Sequence, residues 1–411
     1  MSNTIRRGNS ADFSMEEKGE VMDMIIDLIF GLLRLFVQPW FYLLLAFAVL
    51  VNYRRVRRER RDFHVRVYGI FDGVLASILP GLLAGLIGSI VMVAVGIVLS
   101  PGMIVLIGAF YVLALLTFQL RLVSPIFTVG AAVVLAYFFP VVTTGIPLLN
   151  DWISGIRMRP ISSAVLLLGL LIVLEGVMIR LRGVNSTPRL LAGRRGKTVG
   201  AHEARKFWFV PLCLMIPGGV IPSVDLWPFT GAGEGFSLLL VPFGLGFHRL
   251  ITDSAPRQVI ASAGKQRVWL GLAVAVLAAG ALYSEIELLA FGGAVLAVVF
   301  GVVEWIFGQT RRRRESFYFR QRDDGLMVLG VLPGSPAEKL GIRVGECIKK
   351  VNGREVHEEG DFYRALQQSA AFCKMEVLDE SGEIRFVQGA LYEGAHHELG
   401  LLFVAPPKAV L

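Results

Sequence analysis

The chain has 411 residues, 54% of them hydrophobic and 18% charged, and 45 are glycine. A soluble domain carries about a quarter charged residues, so an ordinary water-soluble enzyme cannot account for the whole chain. The net charge of +8 would raise nucleic acid as a partner if it formed one solvated face, but the basic residues sit between apolar runs, where they orient membrane spans, and no nucleic-acid partner is expected.

Residues 1–20 are polar, lack a convincing cleavage site after the following apolar stretch, and read as a flexible tail. Val21 to Phe36 is apolar but carries Asp23, Asp27 and Arg34, which suits an interfacial helix or a re-entrant arm better than a full span. Nine runs then approach the roughly 20 apolar residues that a helix needs to cross a bilayer. They are Gln38–Val51, Val74–Leu99, Met103–Leu120, Ile126–Val142, Ile161–Ile179, Phe207–Pro222, Phe236–Phe247, Val268–Tyr283 and Leu288–Phe307. Several are short or broken by Gly and Pro, so residues 21–310 are expected to form a multi-span region of about six to nine helices.

Arginines collect at Arg54–Arg61, from Arg180 to Lys206, and at Arg311–Arg314, and the positive-inside rule makes all three places cytoplasmic. Alternation puts Ser100–Gly102, Thr143–Arg159 and Ser223–Glu234 outside and residues 311–411 in the cytoplasm. Arg54–Arg61 is expected to orient the first span and to touch anionic lipid headgroups. Glu175 and Glu304 are the ionisable residues that fall within spans; both lie near a basic cluster, and pairing with arginine is expected for them rather than transport. Cys213, Cys347 and Cys373 stand singly, as reduced structural thiols do.

From Phe317 the apolar runs shorten and charges become frequent, as in a small soluble α/β domain. Strands are expected at Gly325–Val331, Cys347–Val351, Cys373–Leu378, Ile384–Val387 and Leu401–Val404. Ser335, Pro336 and Glu338 open a short helix that Gly341 ends, Asn352-Gly353 marks a tight turn, and Asp361–Ser369 is an amphipathic helix.

Leu332-Pro333-Gly334-Ser335-Pro336-Ala337, with Leu340-Gly341-Ile342, Val344-Gly345-Glu346 and Val351-Asn352-Gly353, resembles a bacterial PDZ domain. That resemblance implies capture of an extended peptide or C-terminal tail between a strand and a helix, with loop amides holding the carboxylate. Two loops are candidates. Leu399-Gly400-Leu401 would place the binding strand last, with Leu401, Leu402 and Phe403 pairing with peptide and Phe362, Ala365, Leu366 and Ser369 forming or approaching the facing wall; the other reading is that Leu399 to Val404 completes the sheet and binds nothing. Asp324-Gly325-Leu326 is the alternative, disfavoured because Asp323 and Asp324 repel a carboxylate.

A PDZ domain beside membrane helices raises a membrane protease or a protease regulator. A zinc site needs His-Glu-x-x-His, but His202-Glu203 and His357-Glu358 lack the second histidine, and His396-His397-Glu398 has the wrong spacing. No Gly-x-Ser-x-Gly elbow, phosphate loop or dinucleotide fingerprint occurs. Catalytic residues, metal and cofactor are therefore expected to be absent, and a transporter has little support.

The order of parts is itself informative: Gln38-Pro39-Trp40-Phe41-Tyr42, a span, the basic run Arg55 to His64, then Leu79-Pro80-Gly81-Leu82-Leu83-Ala84-Gly85-Leu86, with a PDZ domain at the end. It resembles the MinJ family of cell-division topological determinants. The fold class that follows is a polytopic α-helical membrane protein with a C-terminal soluble α/β PDZ domain. The resemblance implies a scaffold that links a DivIVA-like polar scaffold to a MinD-like division inhibitor, alongside other division proteins, at septum and poles.

Overall fold

The computed structural model describes residues 22, 26, 29–63, 67, 69–138, 145–156, 160–183, 185–192, 198–222, 235–313, 317–321, 324–368, 372–379, 381–390 and 399–404. Helix α1 (Pro39–Phe63) carries the first apolar run straight into the arginine segment, and the short helix before it, ending at Val37, meets α1 at 65°, as a broken span or re-entrant arm does. Then come α2 (Ile70–Val95), α3 (Pro101–Leu116), α4 (Pro125–Phe138), the short α5 (Pro147–Ile156), α6 (Ile161–Arg182), α7 (Pro256–Ser284) and α8 (Glu287–Arg313). Ser100 caps α3 by accepting from the Met103 amide, with Pro101 at its first position. Four of these helices, α2, α6, α7 and α8, are long and apolar enough to cross a membrane, and α3 and α4 are shorter apolar helices. Leu79, Leu83, Leu86, Ile87 and Ile90 of α2 are exposed, an outward face suited to lipid and not to water. The α6–α7 seam is closed by glycines: a Cβ on Gly169 would lie 2.9 Å from the Gly271 oxygen, and one on Gly176 2.8 Å from that of Gly264.

Two expected helical spans are strands instead. Phe207–Pro222 and Phe236–Phe247 belong to β2 (Thr198–Pro222) and β3 (Gly235–Ile251), an antiparallel hairpin inside the helical bundle, with β1 (Thr187–Ala192) on the other edge of β2 at its base. The physical reason lies in the runs themselves. Pro211, Pro217 and Pro242 would each break a helix, Gly244 and Gly246 weaken one, and Phe207-Trp208-Phe209-Val210 favours a strand. At about 3.3 Å per residue, Phe207 to Pro217 reaches roughly 33 Å, about the thickness of a bilayer core. The hairpin thus runs through the helical bundle over a length like that of a spanning helix.

A hairpin buried among helices must still satisfy its outer edges. Pro211 and Pro242 lie opposite each other, at positions whose main-chain groups point away from the partner strand, so no ladder donor is lost. Neighbouring elements serve the other outward groups. Ser89 Oγ accepts from the Cys213 amide at 2.8 Å, the Leu99 amide donates to Met215 O at 2.9 Å, Gln38 Nε2 donates to Leu240 O at 2.7 Å, and Tyr111 donates to Gly244 O at 3.1 Å. The backbone of α2 lies against β2 so closely that a Cβ on Gly81 would fall 2.0 Å from Phe209 O, and one on Gly85 2.3 Å from Pro211 O.

The C-terminal domain is a sheet of order β8-β7-β5-β4-β9 with β6 beside β5. Its elements are β4 (Leu326–Val331), α9 (Pro336–Lys339), β5 (Cys347–Val351), β6 (Arg354–Glu355), α10 (Glu359–Gln367), β7 (Phe372–Leu378), β8 (Ile384–Ala390) and β9 (Leu401–Phe403). The local signals act as their chemistry dictates. Ser335 caps α9, Gly341 follows it with φ +73°, and Asn352-Gly353 turns β5 into β6 with φ of +51° and +83°.

Candidate functional site

The strand encoded last lies at the edge of the sheet, next to β4 and facing α10. Val331 pairs with Leu401, and the Leu332 amide donates to Gly400 O at 2.8 Å. That pattern turns the Leu401 main-chain groups away from β4, toward the edge that has no strand partner among the described residues. Leu399, Leu401 and Phe403 share a core with Phe362, Ala365 and Leu366 of α10, and the rings of Phe403 and Phe362 are 5.1 Å apart. Leu402 points to the other face, near Gly330. Asn352 holds α10 to the sheet, donating to Ala365 O at 3.1 Å and accepting from the Lys374 amide at 2.9 Å. Gly400 has φ +81°, and a Cβ there would lie 2.3 Å from Ser335 Cβ. The loop Asp324-Gly325-Leu326 leads instead into β4, an interior strand with both edges occupied by β5 and β9. Ser369, Asp323 and His396-His397-Glu398 lie outside the described residues.

The domain is docked on the base of the hairpin. The Gly200 amide donates to Phe319 O at 2.8 Å and the Tyr318 amide to Thr252 O at 2.7 Å, so residues 318–319 run along the hairpin strands. A Cβ on Gly200 would meet Leu329, Phe319 and Val404 at 3.0 Å or less. His202 joins the two parts: Nε2 donates to Leu329 O at 2.8 Å, Nδ1 accepts from Ser186 Oγ at 2.9 Å, and the ring lies 4.9 Å from that of Phe319. Burial pushes this imidazole down to about 4, so it is neutral and keeps that tautomer. Beside it Glu203 receives Arg58, Arg189 at 3.5 Å and His248 at 2.8 Å. Burial alone would raise the Glu203 carboxyl, but the His248 hydrogen bond and the Arg58 and Arg189 charges outweigh it and hold it at about 2. His202 is therefore an interdomain joint and Glu203 an ion-pair hub within the hairpin base, roles that sequence spacing does not reveal.

Glu175 and Glu304 do pair with arginine. Arg267 of α7 binds Glu175 directly and Glu304 at 2.7 Å, with Arg249 at 3.4 Å from Glu304. His357-Glu358 lies at the start of α10, where Glu358 forms a capping box with Asp361. Among the described residues no group of three metal-ligating side chains occurs. The cysteines form no disulfide, and burial pushes the Cys373 thiol up to about 11, which keeps it protonated and inert.

A helical membrane bundle with a PDZ-type sheet fixed to its arginine-rich end defines the class, a polytopic membrane protein bearing a PDZ domain, and residues 327–378 match the PDZ domain family. The chain is 36% identical over 374 residues, 90% of its own length and 93% of the relative's, to "Cell division topological determinant MinJ" of Bacillus subtilis (strain 168). It is 25% identical over 223 residues, 53% of this chain and 58% of the relative, to "Probable cell division topological determinant MinJ" of Lacticaseibacillus paracasei. The chain belongs to the MinJ family of cell division topological determinants. A stretch of PDZ-domain size, 61 residues covering 15% of this chain and 16% of the relative, is 36% identical to "Putative serine protease HhoA" of Synechocystis sp. (strain ATCC 27184 / PCC 6803 / Kazusa). No solved structure matches the chain.

Proposed function

We propose that the protein is a multi-pass membrane scaffold of division-site selection that links a DivIVA-like polar scaffold to a MinD-like division inhibitor, enriched at septum and poles. Its PDZ domain faces the cytoplasm, and the exposed side chains of Arg54, Arg57, Arg60 and Arg61 meet anionic lipid headgroups. Supporting this reading is the fixed joint at Gly200, His202 and Phe319, which holds a sheet edge of peptide-binding type at the basic end of the bundle. In this reading a peptide or C-terminal tail adds to β9: Leu399, Gly400 and Leu401 supply the carboxylate loop, Leu401 to Phe403 the pairing strand, and Phe362, Ala365 and Leu366 the wall. The work of such a protein is binding and placement, in line with a relative named as a division determinant and not as an enzyme. Two-hybrid assays of the full chain against the polar scaffold and against the inhibitor test it. Interaction with both supports the link, and interaction with neither refutes it.

A further inference from the structure

At the arginine-rich end of the bundle, a cavity of about 440 Å³ opens between the α3–α4 connection, the hairpin base and the last turns of α8. Arg205, Arg121, His248, Gln119, Phe118 and Trp305 line it. Arg205 stands directly opposite His248 in the hairpin register, and its Nε is buried with no hydrogen-bond partner. Among the described residues it forms no ion pair either. The nearby carboxylates are already committed, Glu203 to Arg58, Arg189 and His248, and Glu304 to Arg267 and Arg249. Burial and the charges of Arg58, Arg54 and Arg189 work against the Arg205 cation, with Glu203 offsetting them in part. A half-buried guanidinium in that state is costly unless an anion completes it.

The remaining lining fits one kind of anion. Arg121 is held at the cavity by donating to His248 O at 3.0 Å. Gln119 and Gln309 add amide donors, and Trp305 is an aromatic of the sort that sits at the headgroup level, with Phe118 beside it. Phe118 adopts φ +54°, unusual for a bulky residue, and its ring stacks 4.9 Å below the Arg54 guanidinium. We propose that this cavity is a binding site for the phosphate of an anionic phospholipid, with Arg205 and Arg121 as the cationic contacts and Phe118 and Trp305 flanking the glycerol end. The site extends the headgroup contact proposed above for the α1 arginines, which Arg54 joins through its stack on Phe118, and it gives the scaffold a preference among lipids, not only an attraction to charge.

Native mass spectrometry of the full chain, delipidated in neutral micelles and then mixed with phosphatidylglycerol or phosphatidylcholine, tests it. Wild type is expected to retain phosphatidylglycerol preferentially. Arg205→Gln should lose about tenfold of that retention, the effect of about one charge-assisted contact. It removes no hydrogen bond of the described structure, so the fold is expected to survive. Gln309→Glu, an exposed change on a different element, should lose the lipid as well, while Lys339→Gln, an exposed change on the PDZ domain, should not. Equal retention by wild type and both cavity variants would overturn the proposal. So would displacement of the lipid by millimolar inorganic phosphate, which would make the ligand a free anion.

Discussion

Replacing Gly85 by leucine tests the seam between α2 and the buried hairpin. The new Cβ would lie 2.3 Å from Pro211 O and 3.2 Å from its carbonyl carbon, where ordinary contact begins at 3.4 Å, so the overlap with the oxygen is about 1.1 Å. Neither side yields cheaply. Pro211 is held in a continuous ladder with β3, and Gly85 lies in the interior of α2. Overpacking of this kind costs about 1–3 kcal/mol. Moving α2 outward also pulls Ser89 Oγ from the Cys213 amide, and a buried amide left unsatisfied costs about 1–3 kcal/mol more. Against this, removing a helical glycine gains about 1 kcal/mol. The net expectation is a loss of roughly 1–5 kcal/mol. Thermal unfolding of the full chain in micelles reads it, with Gly280→Leu as control because nothing lies within 4 Å of that Cβ. If Gly85→Leu melts with the wild type and the control, β2 does not lie on α2 as described, and the spanning-hairpin account is wrong.

Other consequences are open to direct measurement. Arg267→Met leaves the buried Glu175 without its cation and Glu304 with Arg249 alone, and by the usual penalty of about 3–5 kcal/mol it should melt well below wild type; an unchanged melt would mean Glu175 and Arg267 are not buried together as described. His202 is neutral when docked, with its pKa lowered to about 4 from 6.5, so docking is fully favoured above pH 6.5 and weakens as pH falls toward 4. At pH 5.5 this amounts to roughly a tenfold loss of docking, and hydrogen exchange of Leu329 to Val331 should rise there in wild type but show no such step in His202→Gln. The Glu203 contribution is complete above pH 4.5 and lost only as pH falls toward 2, so the two are separable. Ala365→Trp, at the buried face of α10, overpacks the domain core and should abolish capture of C-terminal peptides by the full chain together with a lower melting point of the PDZ domain; undiminished capture would move the groove elsewhere.

How much of this was legible in the sequence differs by element. The PDZ turns and caps were readable because each depends on one or two residues with a local demand: Ser335 as cap, Gly341 and Gly353 for positive φ, Asn352 for the turn. The long apolar helices followed from length alone. The hairpin was not read, because short buried apolar runs carry no period that separates strand from helix, and the informative marks were Pro211 and Pro242. Those two prolines sit in register with each other, a relation that exists only once the strands are paired. The interdomain joint was hidden for a similar reason. His202 and Leu329 are far apart in sequence, and the short spacing of His202-Glu203 points, misleadingly, to metal chemistry.

The same distinction governs the proposed groove. Its residues were named from an apolar-Gly-apolar signature, and the structure places Leu401 to Phe403 on a sheet edge beside Phe362. The geometry also changes how it should be probed. Gly400 needs its positive φ and has no room beside Ser335, so substituting it damages the domain, and Ala365, buried in the same core, must be probed with a stability control.

The central claim is that the chain places division machinery at particular membrane sites. Imaging a fluorescent fusion of the full chain in dividing cells, with and without the polar scaffold, tests it most directly. The account predicts bands at septa and poles that disperse around the membrane when the scaffold is removed. A uniform membrane distribution in both strains would contradict it.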